Sequence, residues 1–237
     1  MSSIIDILND SDTSFINTKS STYHNNEGKS VPRVTEILST MIHSDALMYW
    51  ANALGFKGMK YKEALSAAAK IGTAAHHAIE RFLKEKLQNL TNIPFLGFLM
   101  WYNIITQEKG LPIQIIYIEH TITCQWFGGT LDALMLIGNR LYLVDFKTSN
   151  HVTYKYFLQL AAYRYMLRVM EGIIVDGVIV LQFDKDDPGF NEYLLDFSIQ
   201  QHLEFINHCE TTFLSLVYGF FNIKRAEDMH KDIFNKR

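Results

Sequence analysis

Two aspartates and a lysine lie on the arms of one short hairpin, Asp132 on the first arm and Asp145 with Lys147 on the second, around Gly138-Asn139. Gly followed by Asn suits a two-residue turn, and turn length sets strand register. Pairing Ile137 with Arg140 places Leu134 opposite Leu143, Asp132 opposite Asp145 and Thr130 opposite Lys147. Opposed side chains have Cβ atoms about 4.5 to 5.5 Å apart, so facing carboxylates repel unless a cation or a proton intervenes. A divalent ion such as Mg²⁺ or Mn²⁺ meets that need, and such an ion also acidifies water and polarises a phosphate. Side chains alternate along a strand, so Lys147 shares the face of Asp145 while Val144 and Phe146 point into apolar packing. The ammonium can then orient a water or stabilise developing charge. A solvated Asp-x-Lys salt bridge is the bland alternative. Ala133, Leu134, Leu143, Val144 and Phe146 oppose it, because they place the charges in a buried strand where unpaired charge is costly.

Other residues can complete such a site. His76 and Glu80, four apart, share one helix face. His76 is either a packed histidine or a metal ligand, and Ala74 and Ala75 leave room for close approach of helix to sheet. Glu119 is either a sheet-edge charge or another carboxylate on the ligand side. Gln159 and Tyr163, also four apart, follow Lys147 closely enough to reach a phosphate or base, although Tyr163 equally fits an apolar stripe.

The elements that carry these residues follow from periodicity. Helical spacing predicts helices over 35–54 and 61–90, a third over 94–108, another marked by Leu160, Tyr163, Leu167 and Met170, and a last one from Ile206 to Phe220. Runs rich in β-branched and aromatic residues predict strands over 113–123, 130–137, 140–146, 173–183 and 193–197. The alternation implies an α/β fold with a mixed central β-sheet flanked by helices, preceded by an N-terminal helical region. Residues 1–30 are rich in Ser, Thr, Asn and Asp, as in an arm or loop, leaving 31–237 as one domain.

Bulk composition sets the limits. With 48% hydrophobic and 13% aromatic residues, the 237-residue chain can fill one sizeable core. Its 22 basic and 25 acidic residues sum to a net charge of -3, which gives no support to nucleic-acid binding by the whole surface but leaves room for a local basic track. The two cysteines, Cys124 and Cys209, match no disulfide or zinc spacing and are expected to be buried. Neither a membrane span nor a secretory signal is legible, so the expected location is the cytoplasm.

In order and spacing, G-T-A-A-H ending at His76, G-G-T-L-D ending at Asp132, D-F-K-T from Asp145 and Q-L-A-A-Y from Gln159 resemble the RecB-like branch of the PD-(D/E)XK nucleases. V-P-R-V-T-E-I-L from Val31 is similar to the opening segment of the subgroup of mitochondrial genome maintenance exonucleases and their phage relatives, and the likeness extends to about Asp196. The resemblance implies a restriction-endonuclease-like core. It implies metal ligation by His76, Asp132, Asp145 and the Phe146 carbonyl, with Glu119 matching a frequent upstream acid. It makes Lys147 the catalytic lysine and Gln159 and Tyr163 supporting residues, and it assigns Arg33, Thr148, Ser149, Gln159 and Tyr163 to substrate contact. Arg33 stands where such relatives often have Ser. Two cysteines cannot hold the iron-sulfur cluster of some relatives, so the resemblance is to cluster-free members. It further implies an Mg²⁺- or Mn²⁺-dependent DNA exonuclease of replication, repair or recombination. Its substrate would be single-stranded DNA with a free end, admitted through a helical arch in a bacterial or phage-infected cell. An endonuclease on the same fold and a catalytically silent nucleic-acid-binding module are the rivals.

Overall fold

A computed structural model describes residues 4–9, 23–43 and 45–234. Five strands form one mixed sheet, in chain order: β3 (Ile113–Thr123), β4 (Gly128–Ile137), β5 (Arg140–Lys147), β6 (Gly177–Phe183) and β7 (Phe190–Asp196). Only the β5/β6 pair is parallel, with α6 (Tyr154–Glu171) in the crossover. The expected hairpin register holds from Ile137–Arg140 as far as Ala133–Val144, with Gly138 at φ +63 supplying the left-handed turn residue.

Both faces of the sheet are covered. On one face lie α2 (Val34–Met41), α6 and α7 (Gln200–Phe234), packed on Leu134, Leu143, Val178 and Val180. On the other, α4 (Tyr61–Glu85) and α5 (Ile93–Asn103) enclose a cluster around Phe98, whose ring meets Phe82, Trp101, Phe146 and Phe183. Asn92 caps α5 by accepting from the Phe95 N–H at 2.9 Å, and the helix continues into a π-turn, Ile104–Glu108. Cys124 and Cys209 are free and buried in the first core, as expected. Among the described residues, no helix is long and apolar enough to cross a membrane.

Several boundaries differ from expectation. The helix expected over 35–54 is two, α2 and α3 (Asp45–Phe56), broken after Met41 where Ile42 turns extended. Lys155 on α6 donates to the Ile42 carbonyl at 2.8 Å, so a tertiary contact satisfies a group that a continuous helix would have used. Helix α4 stops short of residue 90 because Lys86 adopts the left-handed conformation. The strand expected over 173–183 starts only at Gly177. Before it, Asp176 exchanges bonds with Leu141, its N–H donating to the carbonyl and its carboxylate accepting from the amide. The last two elements are longer than predicted: β7 begins at Phe190 and α7 runs on to Phe234.

The N-terminal segment, expected as an arm or loop, contains α1 (Ile4–Asn9) and a two-stranded ribbon of β1 (Tyr23–His24) with β2 (Ser30–Val31). Residues 1–3 and 10–22 of that segment lie outside the described residues. Leu8 is fully buried in the α6/α7 core, with Ile4 and Ile5 packed beside it. Leu8→Ala should therefore cost about 2 to 4 kcal/mol, read as a lower urea midpoint at unchanged slope. An unchanged midpoint would show that α1 adds nothing to the core.

Candidate metal centre

The hairpin ladder ends at Ala133–Val144, one pair before the two aspartates would face each other. Asp132 does not pair with Asp145 through the main chain as expected, and Thr130 is paired with Thr121 on β3 and not with Lys147. The reason is local: Asp132 Oδ2 accepts from the Phe146 N–H at 2.7 Å, so a side-chain carboxylate takes the place of a ladder carbonyl and the strands part. Asp145 turns to Lys147, whose Nζ donates to Oδ1 at 2.7 Å and lies 2.6 Å from Oδ2. Oδ2 is buried and accepts no well-directed hydrogen bond.

Charge balance explains this arrangement. Burial pushes the Asp145 carboxyl up to about 6; Lys147 opposes that rise and Asp132 adds to it. Lys147 is held as an ammonium, because the attraction of Asp145 and Asp132 outweighs the burial that disfavours its charge. Its Nζ also lies 5.0 Å from the centre of the Tyr156 ring, a cation-π partner that periodicity did not single out.

His76 reaches the same place from α4. Its Nε2 is 3.0 Å from the Phe146 carbonyl oxygen, and its Nδ1 is 3.4 Å from Glu119 Oε1 and 3.6 Å from Asp132 Oδ1. Burial lowers the pKa of this imidazole, but Glu119 and Asp132 outweigh it and raise the group to about 9. The ring donates from Nε2 to the Phe146 carbonyl and faces both acids with Nδ1. His76, Glu119 and Asp132 each offer one ligand atom, all within 4.8 Å of one another. Two carboxylate oxygens and one imidazole nitrogen suit a hard or borderline divalent ion, and the orphaned Asp145 Oδ2 is a further oxygen at the fork. Asp145 is not among these three residues, and the Phe146 carbonyl oxygen lies against His76.

Glu119 joins the group through an unusual backbone. It has φ +49 in the middle of β3, between the ladder pairs Ile118–Ala133 and His120–Leu131. A non-glycine residue held there costs on the order of 1–3 kcal/mol and persists only where its surroundings enforce it. Strand composition gave no sign of it.

The remaining candidates take different positions. Gln159 and Tyr163 are buried on α6; Gln159 hydrogen-bonds Tyr163, and burial together with Asp132 and Asp145 raises the phenol's pKa. Tyr163 packs on the Gly129 backbone, where an added Cβ would lie 2.7 Å from its ring. Thr148 lies beside α4, its Oγ1 3.4 Å from where a Cβ on Gly72 would be. Ser149 Oγ donates to the His151 carbonyl within the loop. Arg33 is exposed at the N-terminus of α2, bridged to Gly128, with its guanidinium 6.0 Å from the centre of the Tyr23 ring. An open cleft of about 420 Å³ leads to the metal-ligating group, lined by Gly72, Thr73, His76, His77, Glu80 and Glu119. Of these, Thr73 and His77 had no distinguishing sequence signal beyond their place beside His76.

Glu119→Gly separates strain from ligation. Glycine relieves the positive φ at some entropic cost, so metal-free stability should stay within about 1 kcal/mol of the parent. Mn²⁺ affinity by calorimetry should fall roughly tenfold or more, with a matching loss of metal-induced thermal stabilisation. Unchanged Mn²⁺ affinity would remove Glu119 from the ligand set.

No family model matches the chain, and neither does any curated protein. Fourteen chains of solved structures do match. One is the crystal structure of SSO0001, at 12% identity over 78% of this chain and 76% of that one, with a TM-score of 0.34. Another is LHK-Exo in complex with dAMP, at 13% identity over 84% and 94% of the two chains, with a TM-score of 0.37.

Proposed function

We propose that this protein is a divalent-metal-dependent nuclease that hydrolyses phosphodiester bonds in single-stranded DNA from a free end. The observation that carries this reading is the convergence of His76, Glu119 and Asp132 on one point beside the buried Asp145–Lys147 pair. Mg²⁺ or Mn²⁺ held by those three residues, with Asp145 at the fork, would neutralise a phosphate oxygen and acidify water. The ammonium of Lys147 orients the attacking water and stabilises charge on the pentacovalent phosphorus. Water's oxygen forms the new P–O bond, one ester P–O bond breaks, and the departing oxygen takes a proton. The products are a phosphate monoester and a free hydroxyl. Gln159 and Tyr163 support the substrate from α6.

The end-dependent, single-strand part of the reading is supported by α3 and the first turns of α4, where few side chains are buried. Lys57, Lys60, Lys62 and Lys70 outnumber Asp45 and Glu63 over this stretch, a local excess of positive charge on an acidic protein. Trp50 meets Tyr61 edge to face, while Tyr49 is 74% and Phe56 93% exposed. Exposed aromatic rings on α3, with lysines between the two helices and on α4, which also carries His76, suit stacking bases and a tracked backbone. A roof of this kind admits a flexible end and obstructs a continuous circle.

Asp132→Asn, Asp145→Asn and Lys147→Ala should each lower cleavage of linear single-stranded DNA about a hundredfold or more, while binding in Ca²⁺ survives. A circular single strand of the same sequence should persist. Equal cutting of circle and line would convert the reading to an endonuclease. Binding without cleavage in either Mg²⁺ or Mn²⁺ would leave a nucleic-acid-binding module.

A further inference from the structure

A second cleft, of about 520 Å³, opens next to the first at the carboxyl ends of β5 and β6. Thr148, Ser149, Gln182, Lys185, Asn191 and Tyr193 are among the residues that line it. Gln182 is the cross-strand partner of Lys147, and Thr148 touches the Gly72 region of α4 that lines the metal cleft, so the two clefts share a wall. In an open sheet, the crevice outside the carboxyl ends of parallel strands is where ligands bind.

The polar groups of this cleft have a consistent polarity. Gln182 is buried and its amide is oriented: Nε2 donates to the Ser149 carbonyl at 2.6 Å, and Oε1 accepts from Asn191 Nδ2 and the Tyr193 hydroxyl, both at 3.3 Å. Asn191 spends its N–H on Gln182, so its Oδ1 is turned to acceptance, and among the described residues it receives no hydrogen bond. The carboxylates of Asp184 and Asp186 stand on the same rim. The Lys185 ammonium is directed to Asn150 Oδ1 at 3.2 Å. With Asp184 and Asp186 against Lys185 the rim is net negative and presents acceptors, with the partly exposed ring of Tyr193 beside them. Exocyclic amino groups of cytosine and adenine are the donors that amide and carboxylate oxygens read, and splayed single-stranded bases stack on aromatic rings.

We infer that this cleft is a base-reading subsite of the nuclease. It seats a nucleotide near the scissile phosphate and favours cytosine or adenine, whose exocyclic amino group offers two N–H donors, over thymine, whose base offers only its N3–H. This rests on the nuclease reading only for its link to cleavage; the base preference itself is a binding property.

The probes are end-labelled dT strands carrying one dC or dA stepped along their length, with the all-dT strand as reference. Binding of the full chain is measured by fluorescence polarisation in Ca²⁺, and cleavage in Mn²⁺. A single dC or dA at one position relative to the end should tighten binding about fivefold or more. The cut should fall at a fixed distance from that base. Asn191→Ala should bring strands carrying dC or dA down to the affinity of the all-dT strand, and Tyr193→Phe should weaken the preference with the ring retained. Equal affinity for all strands, or an equal loss for all strands in Asn191→Ala, would overturn the subsite. Preference without any cleavage would keep the subsite and overturn the nuclease. Cleavage with no preference would do the reverse.

Discussion

Asp132, Asp145 and Glu119 bring carboxylates to one end of a sheet, two of them almost wholly removed from water, and that mutual repulsion is the constraint around which the site is built. The protein answers it with two cations from different elements. Lys147, two residues beyond Asp145 on the same face, neutralises it at 2.6 Å. His76, carried in by α4, lies between Glu119 and Asp132, which favour its protonated form against the burial that disfavours it. Removing one partner of such a buried pair leaves an uncompensated charge, so the acids and their cations hold each other in place. A divalent ion held by His76, Glu119 and Asp132 would take over the balancing of these carboxylates.

The scaffold's part is to bring α4 close to the fork. Ala75 and Ala78 are buried, and Ile79 and Phe82 lock the helix onto the aromatic cluster below the sheet. Phe146 links the layers: its ring lies in that cluster, its N–H fixes Asp132 and its carbonyl meets His76. The strain at Glu119 is tolerated because the neighbouring pairs Ile118–Ala133 and His120–Leu131 hold the ladder on both sides. The exposed α3/α4 helices and the polar cleft at Gln182 are the two surfaces that the proposed function would use.

Much of this was legible in the sequence because it is written in short-range signals. The Gly138 turn set the register, and alternation placed Asp145 and Lys147 on one face. What could not be read depends on contacts between distant segments. The break at Ile42 is favoured by Lys155, far along the chain, and Leu8 is buried only because α7 returns to cover it. The ladder stops three pairs short of Thr130–Lys147 because a carboxylate on Asp132 accepts a main-chain N–H in place of a carbonyl. A left-handed glutamate inside a β-branched strand contradicts its own local signal, so the sequence leaves Glu119 between a sheet-edge charge and a ligand.

The acids at the fork fit a divalent ion. Anomalous diffraction from crystals soaked in Mn²⁺ tests this most directly. A peak is expected within bonding distance of His76 Nδ1, Glu119 and Asp132, with Asp145 drawn away from Lys147 toward the ion. No peak at saturating Mn²⁺, with His76 still bridging the two carboxylates, would contradict it.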